Sequence, residues 1–152
     1  MKKLALAIAT TGGLGYAPIA PGTVGSAAGV AIYLLTSHWY VTQQVALAAG
    51  ITVIGVWAAD VAARHSGRSD PSHVVIDEVA GQLVTYLGTG VGWKGAIAGF
   101  LLFRGLDIVK PWPANRLESL HGGTGIVADD VMAGLYGCAM LHGLIWLVPA
   151  MR

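Results

Sequence analysis

Long apolar stretches broken by short polar segments make up this chain. After Lys3 no Asp, Glu, Lys or Arg occurs until Asp60, which leaves a charge-free run of 56 residues. Further uncharged runs cover 79–93, 95–103 and 131–151, the last 21 residues long. The apolar runs exceed ten residues, are rich in alanine, and lack short alternating segments bounded by hairpin turns, so the expected elements are helices. The pattern predicts helices near 24–37, 42–66, 71–91, 94–108, 113–120 and 127–148. Pro111 stops the fourth, and Pro113 suits the first turn of the fifth. A bilayer span takes about 20 apolar residues, with roughly 17 as a lower limit. Residues 131–148 meet it, and 44–59 do so when extended by a residue or two. Residues 24–40 are diluted by Gly25, Ser26, Gly29, Thr36 and Ser37. Gly88, Gly90 and Gly92 predict a bend within 79–103, where two short helices compete with one long one.

Composition sharpens this picture. Of 152 residues, 55% are hydrophobic and 11% charged, against roughly 25% charged in a soluble domain. Disorder is excluded, because it needs low hydrophobicity and high charge. The expected fold is all-α: a single domain over 1–152, a compact bundle of about five to six helices, embedded in a membrane with several short apolar helices. A net charge of +1 provides no basic field for nucleic acid. The lone Cys138 excludes an intramolecular disulfide framework and a multi-cysteine metal site. Lys2 and Lys3 precede only six apolar residues before the Thr/Gly turn, short for a signal peptide, so the segment reads as mature chain. With a cytoplasmic N-terminus, Lys2, Lys3, Arg64, Arg68, Arg104, Lys110 and Arg116 fall inside, while Lys94 and Arg152 fall outside. The same topology places the 10–26 loop, 60–78 and 104–130 on one face. Trp39, Trp93, Trp112 and Trp146 read as interface anchors.

Six of the eight acids lie in three short segments: Asp70 with Asp77-Glu78, Asp107, and Asp129-Asp130. Each segment borders an apolar helix, where a carboxylate costs about 2.5–3.5 kcal/mol unless it faces a partner, cavity or ion. Asp77, Glu78, Asp107, Asp129 and Asp130 could converge on a hard cation, and Mg²⁺ suits oxygen ligands of this kind. Bland readings compete. Asp129 and Asp130 could complement a helix N-terminus, and Asp107 with Lys110 could be an i, i+3 surface pair. Asp77-Glu78 enters an apolar helix with no basic residue within a turn, which a solvated helix end explains less well. The Gly/Pro-rich stretch 12–26 could turn backbone N–H groups near Gly25 and the hydroxyls of Thr23 and Ser26 toward a phosphate. It equally reads as an interfacial turn capped by Thr23, and it is not a P-loop. Arg104 and Lys110 could hold phosphate oxygens. His121 could donate to a leaving oxygen or be structural beside its glycines.

Four blocks together resemble the phosphatidylglycerophosphatase A family of bacterial membrane phosphatases. They are Ala20-Pro-Gly-Thr-Val-Gly-Ser26, Val75-Ile-Asp-Glu-Val-Ala-Gly-Gln82, Phe103-Arg-Gly-Leu-Asp-Ile-Val-Lys-Pro-Trp-Pro113 and His121-Gly-Gly-Thr-Gly-Ile-Val-Ala-Asp-Asp-Val-Met-Ala-Gly134. The resemblance implies a Mg²⁺-dependent enzyme that converts phosphatidylglycerophosphate to phosphatidylglycerol and phosphate on the cytoplasmic side of the inner membrane. It implies metal ligation by Asp77, Glu78, Asp107, Asp129 and Asp130. The resemblance does not fix the mechanism; on the chemistry, Asp77, Asp129, Asp130 and His121 are the candidate catalytic residues, through either water attack with a carboxylate base or an aspartyl-phosphate. His73 stands where relatives carry an acid. A small cation transporter or channel is the main rival; it would place acids at the membrane midplane. A non-catalytic assembly module is the second, and would not need five acids with Arg104 and Lys110.

Overall fold

The computed structural model describes residues 1–151. Its helices are α1 (Lys2–Ala9), α2 (Pro21–Thr36), α3 (Val41–Ser66), α4 (Ile76–Thr85), α5 (Trp93–Val109), α6 (Ala114–Leu117) and α7 (Gly123–Leu147), with 3₁₀ turns at Leu14–Tyr16 and Pro149–Met151. The described residues contain no strand, so the all-α expectation holds. Seven helices stand against the five to six expected. The extra one is α1, whose Ala5 and Ala9 are fully buried as it packs against α3. Helices α3 and α7 are long and apolar enough to cross a membrane, and α2 is apolar but shorter.

The largest departure from the sequence pattern is at the centre. A helix over 71–91 contracts to α4, ten residues long. Residues 71–75 form a loop tied down where the Val75 N–H donates to the Ala9 carbonyl at 2.9 Å. Beyond Thr85 the chain turns through Gly88 (φ 67°) and Gly90 (φ 58°), a conformation open to glycine and costly for other residues. Helix α4 packs against α2, α3, α5 and α7, and every one of its residues except Glu78 is buried. A helix surrounded on all sides reads as apolar all round, which is why its ends cannot be taken from hydrophobicity alone.

Small residues let the helices close on this centre. Ala48, Ala58, Ala59 and Ala62 of α3 face the core, and close backbone approach is the usual basis of helix association in bilayers. The most extensive contact is between α4 and α7, where a Cβ on Gly81 would lie 2.5 Å from the Asp130 carbonyl oxygen. A Cβ on Gly134 would collide in turn with the Gly81 carbonyl. Gly81 lies one turn after Asp77, and Gly134 one turn after Asp130. The glycine crossing therefore sets the two acids opposite each other. Trp39, Trp93 and Trp146 lie at the end of the bundle away from these acids and Trp112 at the acid end, all exposed. Arg152 lies outside the described residues.

Candidate active site

The acids gather at one end of the bundle, where α3 and α5 finish and α2, α4 and α7 begin. A cleft of about 440 Å³ opens there. Seven of the eight acids line it: Asp70, Asp77, Glu78, Asp107, Glu118, Asp129 and Asp130. Lys110 is the one lysine or arginine in that lining, and Arg104 lies beside it. Grouping at one end, rather than at the middle of the helices, is not the arrangement expected of a cation path.

Asp77, Glu78 and Asp130 form the tightest group. One carboxylate oxygen from each lies within 4.8 Å of the others. Asp77 and Asp130 are 7% and 4% exposed. Asp77 Oδ1 and Glu78 Oε2 are buried with no hydrogen-bond partner. Unpartnered buried carboxylate oxygens are costly, and these three converging acids could hold a cation that relieves the cost.

The other two acids of the expected ligand set are already engaged. Arg104 Nη1 donates to Asp107 Oδ2 at 2.6 Å, lies 4.0 Å from Glu78 Oε1, and reaches Ser26 Oγ at 3.5 Å. Lys110, at the C-cap of α5, donates to Asp129 Oδ2 at 2.7 Å and pairs with Glu118 at 3.2 Å. The i, i+3 pairing of Asp107 with Lys110 is therefore replaced by two crossed pairs. Asp129 and Asp130 are the seventh and eighth residues of α7. A helix-terminus role fails for them, because the dipole acts within the first turn. Glu118, which shares Lys110, carried no signal in the sequence beyond its charge.

The Gly/Pro stretch also differs from its sequence reading. Pro21 already opens α2, so Thr23, Gly25 and Ser26 are helical and not in a phosphate-cradling loop. None of the three lines the cleft. Ser26 is fully buried and its Oγ donates to the Gly22 carbonyl at 3.0 Å. Gly25 packs against Val75, and the Thr23 N–H bonds the Ala20 carbonyl. Ser26 meets the site only through Arg104. His121 sits exposed on the rim, in the turn before α7. Asp70, Ser69, Ser72 and Ser119 also line the cleft. His73 is outside the lining, and its ring stacks on Tyr16 at 5.6 Å.

Burial pushes the Asp77 carboxyl well above the usual carboxylate range, and the charges of Glu78 and Asp130 add to the shift. Burial also raises Glu78; Asp107 adds to this, while Asp77 and Arg104 offset part of it. For Lys110 burial opposes the charge, but its bonds to Asp129 and Glu118 win and the net shift is upward. The sign for stability follows. A carboxyl whose folded pKa exceeds its unfolded value penalises the fold when ionised, and the penalty fades as pH falls through the folded value. In chelator, the melting temperature is therefore expected to rise between pH 8 and pH 5, with Lys110 charged throughout. A flat or falling profile in EDTA would contradict this.

Comparison with known proteins gives the chain its relatives. The family described as Phosphatidylglycerophosphatase A matches residues 7–145. A Phosphatidylglycerophosphatase A of Escherichia coli strain K12 is 36% identical over 133 residues, covering 86% of this chain and 77% of that protein. One of Haemophilus influenzae is 31% identical over 133 residues, covering 85% and 82%. A Bacteroides thetaiotaomicron protein, named provisionally as a phosphatidylinositol-3-phosphatase, is 36% identical over 157 residues, covering 95% and 96%. No solved structure matches the chain. The family match runs through all three acidic segments and the helices that position them, and the chain belongs to the phosphatidylglycerophosphatase A family.

Proposed function

We propose that the protein is a Mg²⁺-dependent lipid phosphatase that hydrolyses phosphatidylglycerophosphate to phosphatidylglycerol and phosphate, working at the cytoplasmic face of the bacterial inner membrane. The observation that carries this reading is the convergence of Asp77, Glu78 and Asp130 within 4.8 Å, inside a cleft where seven carboxylates meet Lys110 and Arg104. A phosphate monoester is anionic and is repelled by such a cleft unless cations enter it too. An all-oxygen donor set with unpartnered buried atoms fits a hard divalent cation and suits neither Cu nor structural Zn. Asp77, Glu78 and Asp130 would hold it. Bound there, Mg²⁺ would offset the negative charge of the phosphoryl group.

The chain's own groups complete the reaction. Arg104 and Lys110 stabilise the charge on the transferring group, each shared with an acid that keeps it in place. Lys110 grips Asp129 through Oδ2 and leaves Oδ1 unpartnered. This orientation suits Asp129 as the base that takes a proton from the attacking water. His121, on the rim, protonates the leaving glycerol oxygen. The competing route, through an aspartyl-phosphate, uses an acid of the same cluster as nucleophile.

The test is phosphate release by detergent-purified protein from phosphatidylglycerophosphate, with Mg²⁺ and with EDTA. Release is expected with the metal and lost in chelator. Release that survives EDTA would remove the metal from the reaction, and no release with Mg²⁺ from folded protein would remove the phosphatase. A phosphoinositide monophosphate is the second substrate reading, favoured by the Bacteroides relative that matches nearly the whole chain. Both lipids carry a phosphate monoester on a polyol head group, and their kcat/KM values in one assay decide between them.

A further inference from the structure

We infer that the apolar groove between α2 and α5 holds one acyl chain of the lipid whose phosphate is cleaved at the acidic end; the inference rests on the lipid-phosphatase reading. The two helices run in opposite directions. Ser26 near the start of α2 lies beside Arg104 near the end of α5, and the Tyr33 hydroxyl near the end of α2 donates to the Val91 carbonyl, just before α5, at 2.9 Å. Between these two ties the helices part. Ala27, Val30 and Leu34 on α2 face Trp93, Ile97 and Phe100 on α5 across a groove of about 350 Å³. Each set recurs at three or four residues and so occupies one helix face.

Two features select an acyl chain as the occupant. The first is continuity with the site. Arg104 stands at the junction: on one side it touches Asp107 and lies near Glu78, both in the cleft lining, and on the other it reaches Ser26, next to the first groove residue. Phe100, at the same end of the groove, is one helical turn before Arg104. An anionic head at Arg104 thus stands one helical turn from Phe100, at the acid-side end of the groove. The second feature is length and chemistry. From Ala27 to Leu34 the groove runs about 10 Å at the helical rise, within the roughly 15 Å half-thickness of the hydrocarbon layer. Its facing side chains are hydrocarbon and aromatic, with no polar atom among them except the Trp93 indole. A peptide segment would bring backbone groups that this lining cannot satisfy; a hydrocarbon chain asks for nothing else.

The test compares wild type with Val30→Trp and Ile97→Trp, which fill the groove from opposite walls. Val53→Trp is the control, since Val53 lies on α3, away from groove and cleft, and is highly exposed. Substrates are dioleoyl and dihexanoyl phosphatidylglycerophosphate in the same detergent micelles. Wild type is expected to favour the dioleoyl lipid through a lower KM. In both groove variants that KM should rise about tenfold, the equivalent of displacing roughly two methylenes, with kcat kept and the dihexanoyl lipid little affected. Val53→Trp should behave as wild type. Unchanged dioleoyl KM, equal loss on both lipids, or no chain-length preference in wild type would overturn the groove assignment. So would a changed oligomeric state in the groove variants, which would make the groove a contact with a second copy. Failure of wild type on both lipids would instead sink the phosphatase reading, and the groove assignment with it.

Discussion

Asp77→Asn is expected to abolish phosphate release while leaving the protein folded, with a melting temperature in EDTA equal to or above that of wild type. The side chain keeps its shape and loses its charge. Asp77 is buried at the start of the central helix, and Glu78 and Asp130 crowd it with charge of the same sign. Without a cation, removing one of three like charges relieves repulsion and desolvation together. Under the proposed function the same change removes a charged donor from the proposed cation site. Partners that merely orient a metal ligand cost about 10–100-fold when lost, so loss of a ligand should cost about 10³-fold or more. The paired measurement is phosphate release with Mg²⁺ and thermal melting with and without Mg²⁺. Wild type should gain stability on adding Mg²⁺, through preferential binding to the folded state, and the variant should gain little. A variant that melts early in EDTA would give Asp77 a structural role. One that keeps near-normal turnover would displace it from the site.

Gly81→Ala should damage both fold and activity, although it changes no charge. Its Cβ would meet the Asp130 carbonyl and the Phe103 ring, each at 2.5 Å. The ring can turn, but the carbonyl is backbone held in α7, so α4 and α7 must separate. Overpacking of this kind costs typically 1–3 kcal/mol. The upper end is expected here because the neighbour cannot yield, giving a Tm lower by roughly 5–10 °C. Separation at Gly81 also draws Asp77 away from Asp130, one turn back on each helix, so Mg²⁺ affinity and turnover should fall together. Gly50→Ala is the contrasting substitution. Nothing lies within 4 Å of a Cβ there, and alanine in mid-helix should be neutral or stabilising by up to about 1 kcal/mol. Equal melting temperatures for the two variants would show that the α4–α7 approach is looser than described.

Much of the helical framework was legible in the chain. The uncharged run before Asp60 makes up most of α3, and the run after Asp130 most of α7, because the part of a helix that lies in apolar surroundings must exclude charge. The acidic segments were legible for the same reason: a carboxylate at the edge of an apolar run costs too much to be there without a partner or an ion. Thr23, Gly25 and Ser26 were misread. Glycine and proline mark both loops and tightly packed helix starts, and only the fit of Gly25 against Val75 distinguishes them. The bland reading that pairs Lys110 with its neighbour in sequence, Asp107, fails too, since the fold gives Lys110 to Asp129 and Glu118.

Composition and period are enough to establish that the chain is helical, that it suits a bilayer, and that six of its eight acids cluster beside apolar runs. Both act locally. Tertiary structure decided which acids meet. Asp77 and Asp130 are far apart in sequence and come together because Gly81 and Gly134 let two backbones approach at one crossing point. It also decided that Arg104 and Lys110 each take a carboxylate from outside the tight group, leaving Asp77, Glu78 and Asp130 as the three acids that converge. Residue order cannot reveal that division, because it depends on how closely the helices pack, and close packing is the property a one-dimensional pattern does not carry.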